Sequence, residues 1–223
     1  MPMENAGDSF AAGLDAKTGK TLWRVRRHRD INWVSPVVTQ FNKRAEAIFQ
    51  TAKDVTAYEP RTGKVLWSLT GRGTSSVASP VQGDGMLFVS GRDTLALRPG
   101  GDEPEVAWKS PRLPTGYSSA AYHGGRLYAL KPRFGLVCAD GRSGKLLWQQ
   151  RVAGEFSASP VLADGKAYLA GEDGVVTVVH LGKEPEVLAS NDMKQKLLAT
   201  PAVAGGCLYL RSDKTLFCIG MKK

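Results

Sequence analysis

The residue types that most often carry out chemistry are few in this chain and lie far apart. The three histidines and three cysteines are His28, His123, His180, Cys138, Cys207 and Cys218. No spacing among them resembles a zinc site, and no histidine lies near another. The pattern favours neither a metal centre nor a histidine-based catalytic group. The residues therefore favour a non-catalytic protein without excluding an enzyme.

Tryptophan, in contrast, recurs at a regular spacing. The segments 15–23, 59–67 and 140–148 share the pattern Asp/Glu-x-x-Thr/Ser-Gly-Lys-x-Leu-Trp, and weaker copies end at Trp108 and Ala189. The period is about 41 residues. A second column of Ser/Thr-Pro steps keeps the same period.

Each period contains four short apolar segments, which we name A to D. In one copy they are 159–163, 166–170, 175–179 and 186–190, and each is bounded by Gly, Asp or Pro. Such segments are too short for helices and are typical of strands. The A–B turns and the Thr-Gly-Lys turns carry residues that tolerate a positive φ. Four antiparallel strands per period predict an all-β fold, a β-propeller built from four-stranded blades.

The motif A-x-D-x-x-T-G-x-x-x-W resembles the quinoprotein-like (PQQ-like) propeller repeat, and the resemblance covers nearly the whole chain. It implies that the motif's tryptophan docks between neighbouring blades, against the Thr-Gly turn. The residues given this structural role are Trp23, Trp67, Trp108, Trp148, Gly19, Gly63 and Gly144. BamB-type outer-membrane assembly lipoproteins and PQQ-dependent dehydrogenases share this repeat.

The strand count predicts one propeller domain over 1–223. Residues 10–25 supply strands C and D of a partial blade, and 200–220 form a partial blade at the other end. Four full blades are predicted at 35–69, 79–110, 119–150 and 159–190. Eight blades are usual in the family, so the resemblance implies about five repeats of a larger ring. Open blade edges would allow self-association.

Lysine and arginine number 30 against 21 aspartate and glutamate, a net charge of +9. Much of this charge falls in the D–A and B–C loops, which share one face of a propeller and mix arginine with aromatic residues. This mixture is typical of protein-binding surfaces. The candidate binding residues are Arg27, Arg29, Trp33, Arg72, Arg92, Tyr117, Arg133, Phe134 and Phe156.

Three functions remain open. The first is a protein-interaction scaffold that binds another protein through this loop face, with no metal and no cofactor. The second is part of a PQQ-dependent oxidoreductase, which would need PQQ and Ca²⁺. The third, a module for an acidic polymer or nucleic acid, is less favoured. The resemblance implies a periplasmic or cell-envelope location, and the sequence shows no signal peptide and no transmembrane segment.

The repeat also predicts the setting of the cysteines. Two positions before the motif's acidic residue, strand C carries small residues, a column that includes Cys138 and Cys218. We expect both to be small core residues. Cys207 lies opposite Cys218 if the turn is at 212–213, and a direct cross-strand disulfide there would be strained.

Overall fold

The computed structural model describes residues 1–41, 43–72 and 74–220, and these residues form six antiparallel sheets. We number the sheets blades 1 to 6 in chain order. Blade 1 is β1 (Pro2–Met3), β2 (Phe10–Leu14) and β3 (Thr21–Arg26). Blade 2 is β4 (Val37–Phe41), β5 (Arg44–Gln50), β6 (Asp54–Tyr58) and β7 (Val65–Thr70). Blade 3 is β8 (Val81–Gly83), β9 (Met86–Val89), β10 (Thr94–Arg98) and β11 (Glu105–Ser110).

Blade 4 is β12 (Ala121–His123), β13 (Arg126–Lys131), β14 (Gly135–Asp140) and β15 (Leu146–Arg151). Blade 5 is β16 (Val161–Ala163), β17 (Lys166–Ala170), β18 (Val175–Leu181) and β19 (Pro185–Asp192). Blade 6 is β20 (Ala202–Ala204), β21 (Cys207–Arg211) and β22 (Leu216–Gly220). The predicted all-β fold of propeller blades is confirmed. The short β1, which pairs with β2, was not predicted.

The chain divides into two compact units, residues 1–109 and 110–223. Blades 1 and 2 share a core that includes Ala11, Phe49 and Tyr58, and blades 2 and 3 share another that includes Ile48 and Leu87. In the second unit, one core joins blades 4 and 5, and another joins blades 5 and 6. None of the described segments forms a helix with the length and hydrophobicity that crossing a bilayer requires.

Strand register explains why the strand C column carries small residues. Gly13 pairs with Trp23, Ala57 with Trp67, and Cys138 with Trp148. A β-bulge follows the small residue in each of these three pairs. At Gly13 an added Cβ would lie 2.1 Å from the Trp23 Nε1. A small residue here leaves room for the tryptophan ring that crosses strand C.

Two turn types repeat along the chain. The A–B turns of blades 3 to 6 place two successive residues at positive φ, as at Asp164 (49°) and Gly165 (66°), which is the geometry of a type I′ hairpin. The C–D turn of blade 1 is closed by Asp15, whose carboxylate accepts hydrogen bonds from Thr18 N and Thr18 Oγ1, both at 2.7 Å. Gly19 completes this turn at φ 70°, a conformation that most residues with a Cβ avoid.

The cysteines of blade 6 differ from the prediction. The B–C turn extends from Ser212 to Thr215, so Cys207 lies opposite Gly220 and Cys218 opposite Tyr209. Cys138 is fully buried, as expected, but Cys218 is exposed. In the described residues β22 pairs only with β21, so no strand D covers Cys218 as β15 covers Cys138.

Candidate functional site

Three of the repeated tryptophans, Trp23, Trp67 and Trp148, pack in cores that two neighbouring blades share. Trp23, on strand D of blade 1, donates a hydrogen bond from Nε1 to Pro60 O of blade 2 at 2.7 Å. Its ring lies so close to Gly63 that an added Cβ there would be 2.6 Å from ring atoms. It also stacks on Tyr58, with ring centroids 6.0 Å apart. Trp23 therefore joins blade 1 to the Thr-Gly turn of blade 2.

The other three repeated tryptophans make contacts that differ from those of Trp23. Trp67 donates its Nε1 hydrogen to Glu46 Oε2 at 2.7 Å. Trp148 packs with the core of blades 4 and 5, but its Nε1 is buried without a hydrogen-bond partner among the described residues. Trp108 lies against Phe88, with ring centroids 5.8 Å apart. Gly144, in the C–D turn of blade 4, has φ 69°.

The structure corrects the placement of Arg27. Instead of lying on the loop surface, its side chain is only 3% exposed. Its Nε donates to Glu4 Oε1 at 2.8 Å, and its Nη1 donates to Asp54 Oδ2 at 3.1 Å and to Tyr58 OH at 3.0 Å. Both carboxylates are themselves almost fully buried. Arg27 therefore belongs to a buried ionic network, because two carboxylates inside blades 1 and 2 need a cation beside them.

Hydrogen bonds to the charged groups of this network shift their proton affinities. Burial alone would raise the pKa of Asp54, but hydrogen bonds from Thr51 and Thr56 and the charge of Arg27 outweigh it, and the pKa is lowered. Burial raises the pKa of Tyr58, although Arg27 acts against this. The network therefore holds Asp54 in its ionised form.

The same network fixes the loop that follows it, residues 27–33, which we name the Trp33 loop. Asn32 Nδ2 donates to Glu4 Oε2 at 2.5 Å and to Gln50 O at 2.9 Å. The Trp33 backbone N donates to Ser76 O at 2.8 Å. Anchored in this way, the loop presents Ile31 and Trp33 to solvent with 51% and 68% of their surface exposed. Arg29 is exposed beside them.

The other predicted face residues fall into smaller groups. Arg72 and Arg92 are exposed in adjacent loops, which a bridge between Thr74 and Gly91 holds together. In the second unit a pocket of about 300 Å³ is lined by the end of β13 and by loops before and within blades 4 and 5. The predicted residues that line it are Tyr117, Arg133 and Phe156. Phe134 lies instead under the Lys131 ammonium, 5.7 Å from the ring centroid.

Two residues of the Trp33 loop region, Glu4 and Ile31, were not predicted from the sequence. Glu4 and Asn32 hold the loop, and Ile31 shares its exposed apolar surface. An isoleucine two positions before an off-column tryptophan, in a polar loop, was a usable signal for the exposed apolar surface. Nothing in the repeat marks Glu4, which precedes the first recognised strand.

The carboxylates beside the Trp33 loop do not fit a calcium ion. Its buried carboxylates, Glu4 and Asp54, are already ion-paired with Arg27. The cysteines at 138, 207 and 218 also lack the vicinal pair that PQQ-dependent alcohol dehydrogenases place against the cofactor. Among the described residues, no group of three or more His, Cys, Asp or Glu side chains is placed to hold a metal.

The chain is similar to one described protein family and to many solved structures, two of which are BamB from Moraxella catarrhalis and the designed Ika8 protein. The family model described as outer membrane protein assembly factor BamB matches residues 3–110 and 101–184. The crystal structure of BamB from Moraxella catarrhalis superposes with a TM-score of 0.69 at 17% identity, covering 93% of this chain and 64% of that one. The computationally designed Ika8 protein superposes with a TM-score of 0.71 at 13% identity, covering 96% of this chain and 67% of that one. A comparison with curated protein sequences gives no significant match.

Proposed function

The chain belongs to the BamB family of β-propeller proteins, and from this membership we propose that it is a protein-interaction scaffold whose partner docks on the Trp33 loop. The chain spans 64% of the length of the BamB structure. The proposal therefore concerns the blades described above.

The observation that carries the proposal is an exposed tryptophan on a rigid loop. Binding hot spots are enriched in tryptophan, and a loop already held in one conformation loses less entropy when it binds. Trp33 and Ile31 form the apolar part of the surface, while Glu4 and Asn32 fix the backbone beneath them. Arg27 acts as a positioning residue because it donates a hydrogen bond to Glu4, which in turn holds Asn32.

The loop also indicates the chemistry of the partner surface. An indole and an isoleucine side chain require an apolar recess. Arg29 is exposed on the same loop, and Lys53 forms a solvent-exposed pair with Asp30 at 3.1 Å. A recess with an acidic rim would complement this arrangement.

A crosslinking experiment tests the proposal. A photoreactive amino acid is placed at position 33 in the natural protein, in its own cells, and at position 22 as the control. Leu22 is 58% exposed on strand D of blade 1, so it matches Trp33 in exposure but lies outside the loop. We expect one discrete adduct from position 33 and none from position 22. Equal adducts from both positions, or none from position 33, would refute the proposal.

A quantitative measurement follows once mass spectrometry has identified the adduct. Trp33→Ala should weaken binding of the purified partner at least about tenfold, since a hot-spot truncation costs about 2 kcal/mol or more. Leu22→Ala should leave the affinity unchanged. If both variants bind as wild type does, the Trp33 loop is not the docking site.

We further propose a periplasmic or cell-envelope location and a role in outer-membrane protein assembly, for which the family description is the support. Fractionation of cells that make the natural protein tests the location. Recovery in the cytoplasmic fraction would contradict it.

Self-association through the edge of β22 is tested by light scattering over a range of concentrations, and a constant monomer mass would exclude it.

A further inference from the structure

A second pocket, at blades 5 and 6, has a different chemistry from the Trp33 loop. Its volume is about 490 Å³, and we name it the blade 6 pocket. One wall is the D–A loop between β19 and β20, and the other is the end of β21 with the B–C turn that follows. The lining residues are Lys194, Gln195, Lys196, Leu198, Ala199, Arg211, Ser212, Asp213 and Lys214.

Hydrogen bonds fix the two walls of the pocket. Ser212 Oγ, in the B–C turn, donates to Gln195 Oε1 of the D–A loop at 2.5 Å. The D–A loop is also held by Met193 N, which donates to Gly174 O at 3.0 Å. Leu197 is buried in the core of blades 5 and 6, so its neighbours Lys196 and Leu198 are left at the surface. The pocket is therefore formed before any ligand binds.

The charge of the pocket is positive. Lys194 is neutralised by Asp192, at 2.6 Å. Among the described residues, Lys196, Arg211 and Lys214 form no ion pair, and all three side chains are exposed. Asp213 is the lining carboxylate that opposes them. A ligand with several negative charges would complement this excess.

The pocket also has an apolar part. Leu198 is 58% exposed there, and Ala199 lies next to it. Stacking of bases requires aromatic side chains, and in the described part of the chain the pocket lining contains none. Inorganic phosphate or polyphosphate would leave the exposed leucine without a contact. The combination of leucine and unpaired cations is matched by a segment that carries both acidic and apolar side chains.

We propose that the blade 6 pocket docks an acidic peptide segment of a partner protein, with carboxylates at Lys196, Arg211 and Lys214 and an apolar side chain on Leu198. This docking goes beyond the function assigned to the Trp33 loop, since it uses residues of blades 5 and 6 alone. The size of the pocket is within the usual range for ligand sites. The exposed charges steer and orient the segment, and the leucine adds apolar burial.

Fluorescence anisotropy of the full chain tests this proposal with a short fluorescein-labelled peptide that is rich in glutamate and contains interspersed leucines. We expect binding that the double variant Arg211→Glu/Lys214→Glu weakens about tenfold or more, because two attractions become repulsions. Leu198→Ser should weaken it by a few fold. The matched control is Lys183→Glu, an exposed charge reversal in the C–D turn of blade 5, which should bind as wild type does.

The peptide series separates the proposal from its alternatives. A peptide with glutamine in place of glutamate should not bind, and a peptide with serine in place of leucine should bind more weakly. Equal binding by the double variant and by Lys183→Glu would overturn the proposal. So would displacement of the peptide by tripolyphosphate at a lower concentration than by unlabelled peptide, since the site would then be a phosphate site. Trp33→Ala should leave peptide binding unchanged, so failure here and failure at the Trp33 loop are distinguishable.

Discussion

Replacing Arg27 by methionine should remove a large part of the stability of blades 1 and 2. The substitution keeps an unbranched apolar stem but leaves Glu4 and Asp54 buried without their cation. At the observed separations of 2.8 and 3.1 Å, each pair contributes about 5–6 kcal/mol of attraction at an effective dielectric constant of about 20. Burial of the charges offsets part of this, and breaking a buried pair typically costs about 3–5 kcal/mol. We expect a loss in that range.

Urea unfolding followed by tryptophan fluorescence measures the loss, because Trp23 stacks on Tyr58 next to the network. Arg29→Met is the control, an exposed arginine two positions along, and it should change the free energy of unfolding by less than about 0.5 kcal/mol. The double variant Arg27→Met/Asp54→Asn should be more stable than Arg27→Met, since one unpaired buried charge is gone. A loss below about 1 kcal/mol for Arg27→Met, or an equal loss for Arg29→Met, would show that the network does not hold the blades together.

Three further predictions concern acid stability, the blade joints and thiol reactivity. The pKa of Asp54 is below its ordinary value of 3.8, so the stability that the ionised Asp54 contributes is complete above pH 3.8 and is lost as pH falls through the lowered pKa. Urea titrations of Asp54→Asn at several pH values should lack this part of the acid dependence. A profile of stability against pH equal to that of wild type would contradict the prediction. Trp23→Phe should cost about 1 kcal/mol more than Trp148→Phe, because only Trp23 loses an indole hydrogen bond; equal urea midpoints would disprove the distinction. Burial raises the pKa of the Cys138 thiol to about 11, whereas Cys218 is exposed. Alkylation at pH 8, followed by mass spectrometry, should therefore label Cys218 first and Cys138 last. Early labelling of Cys138 would rule out its burial.

The repeat in the sequence was sufficient to predict the blades. Strand C, the Thr-Gly turn and strand D follow one another at fixed offsets, so residues such as Gly13 and Trp23 could be placed on their strands from the repeat alone. Turn chemistry worked for the same reason, because a positive φ at Gly19 or Gly165 is a local requirement. The sequence was a reliable guide wherever local pattern determines the backbone.

Features that depend on distant partners were not predictable in this way. Arg27 looks like a surface residue at the end of a basic run, and its burial follows from two carboxylates 23 and 27 positions away. The register of blade 6 depends on whether its turn has two residues or four, and the segment 212–215 is compatible with both. Cys218 is exposed because, among the described residues, no strand D pairs with β22, and its column in the repeat does not reveal this.

The pairing of Trp67 with Glu46 shows how a repeat can lose its signature while its joint survives. Blade 3 has no Thr-Gly turn at 99–104, yet the indole hydrogen bond persists because a side chain of strand B in blade 2 accepts it. Arg44 balances this buried carboxylate at 2.7 Å and also reaches Gly101 O of the altered turn at 3.4 Å. Such a replacement frees the turn of blade 3 to vary without separating the blades. In this chain the joint between blades 2 and 3 therefore does not depend on the motif's turn sequence in blade 3.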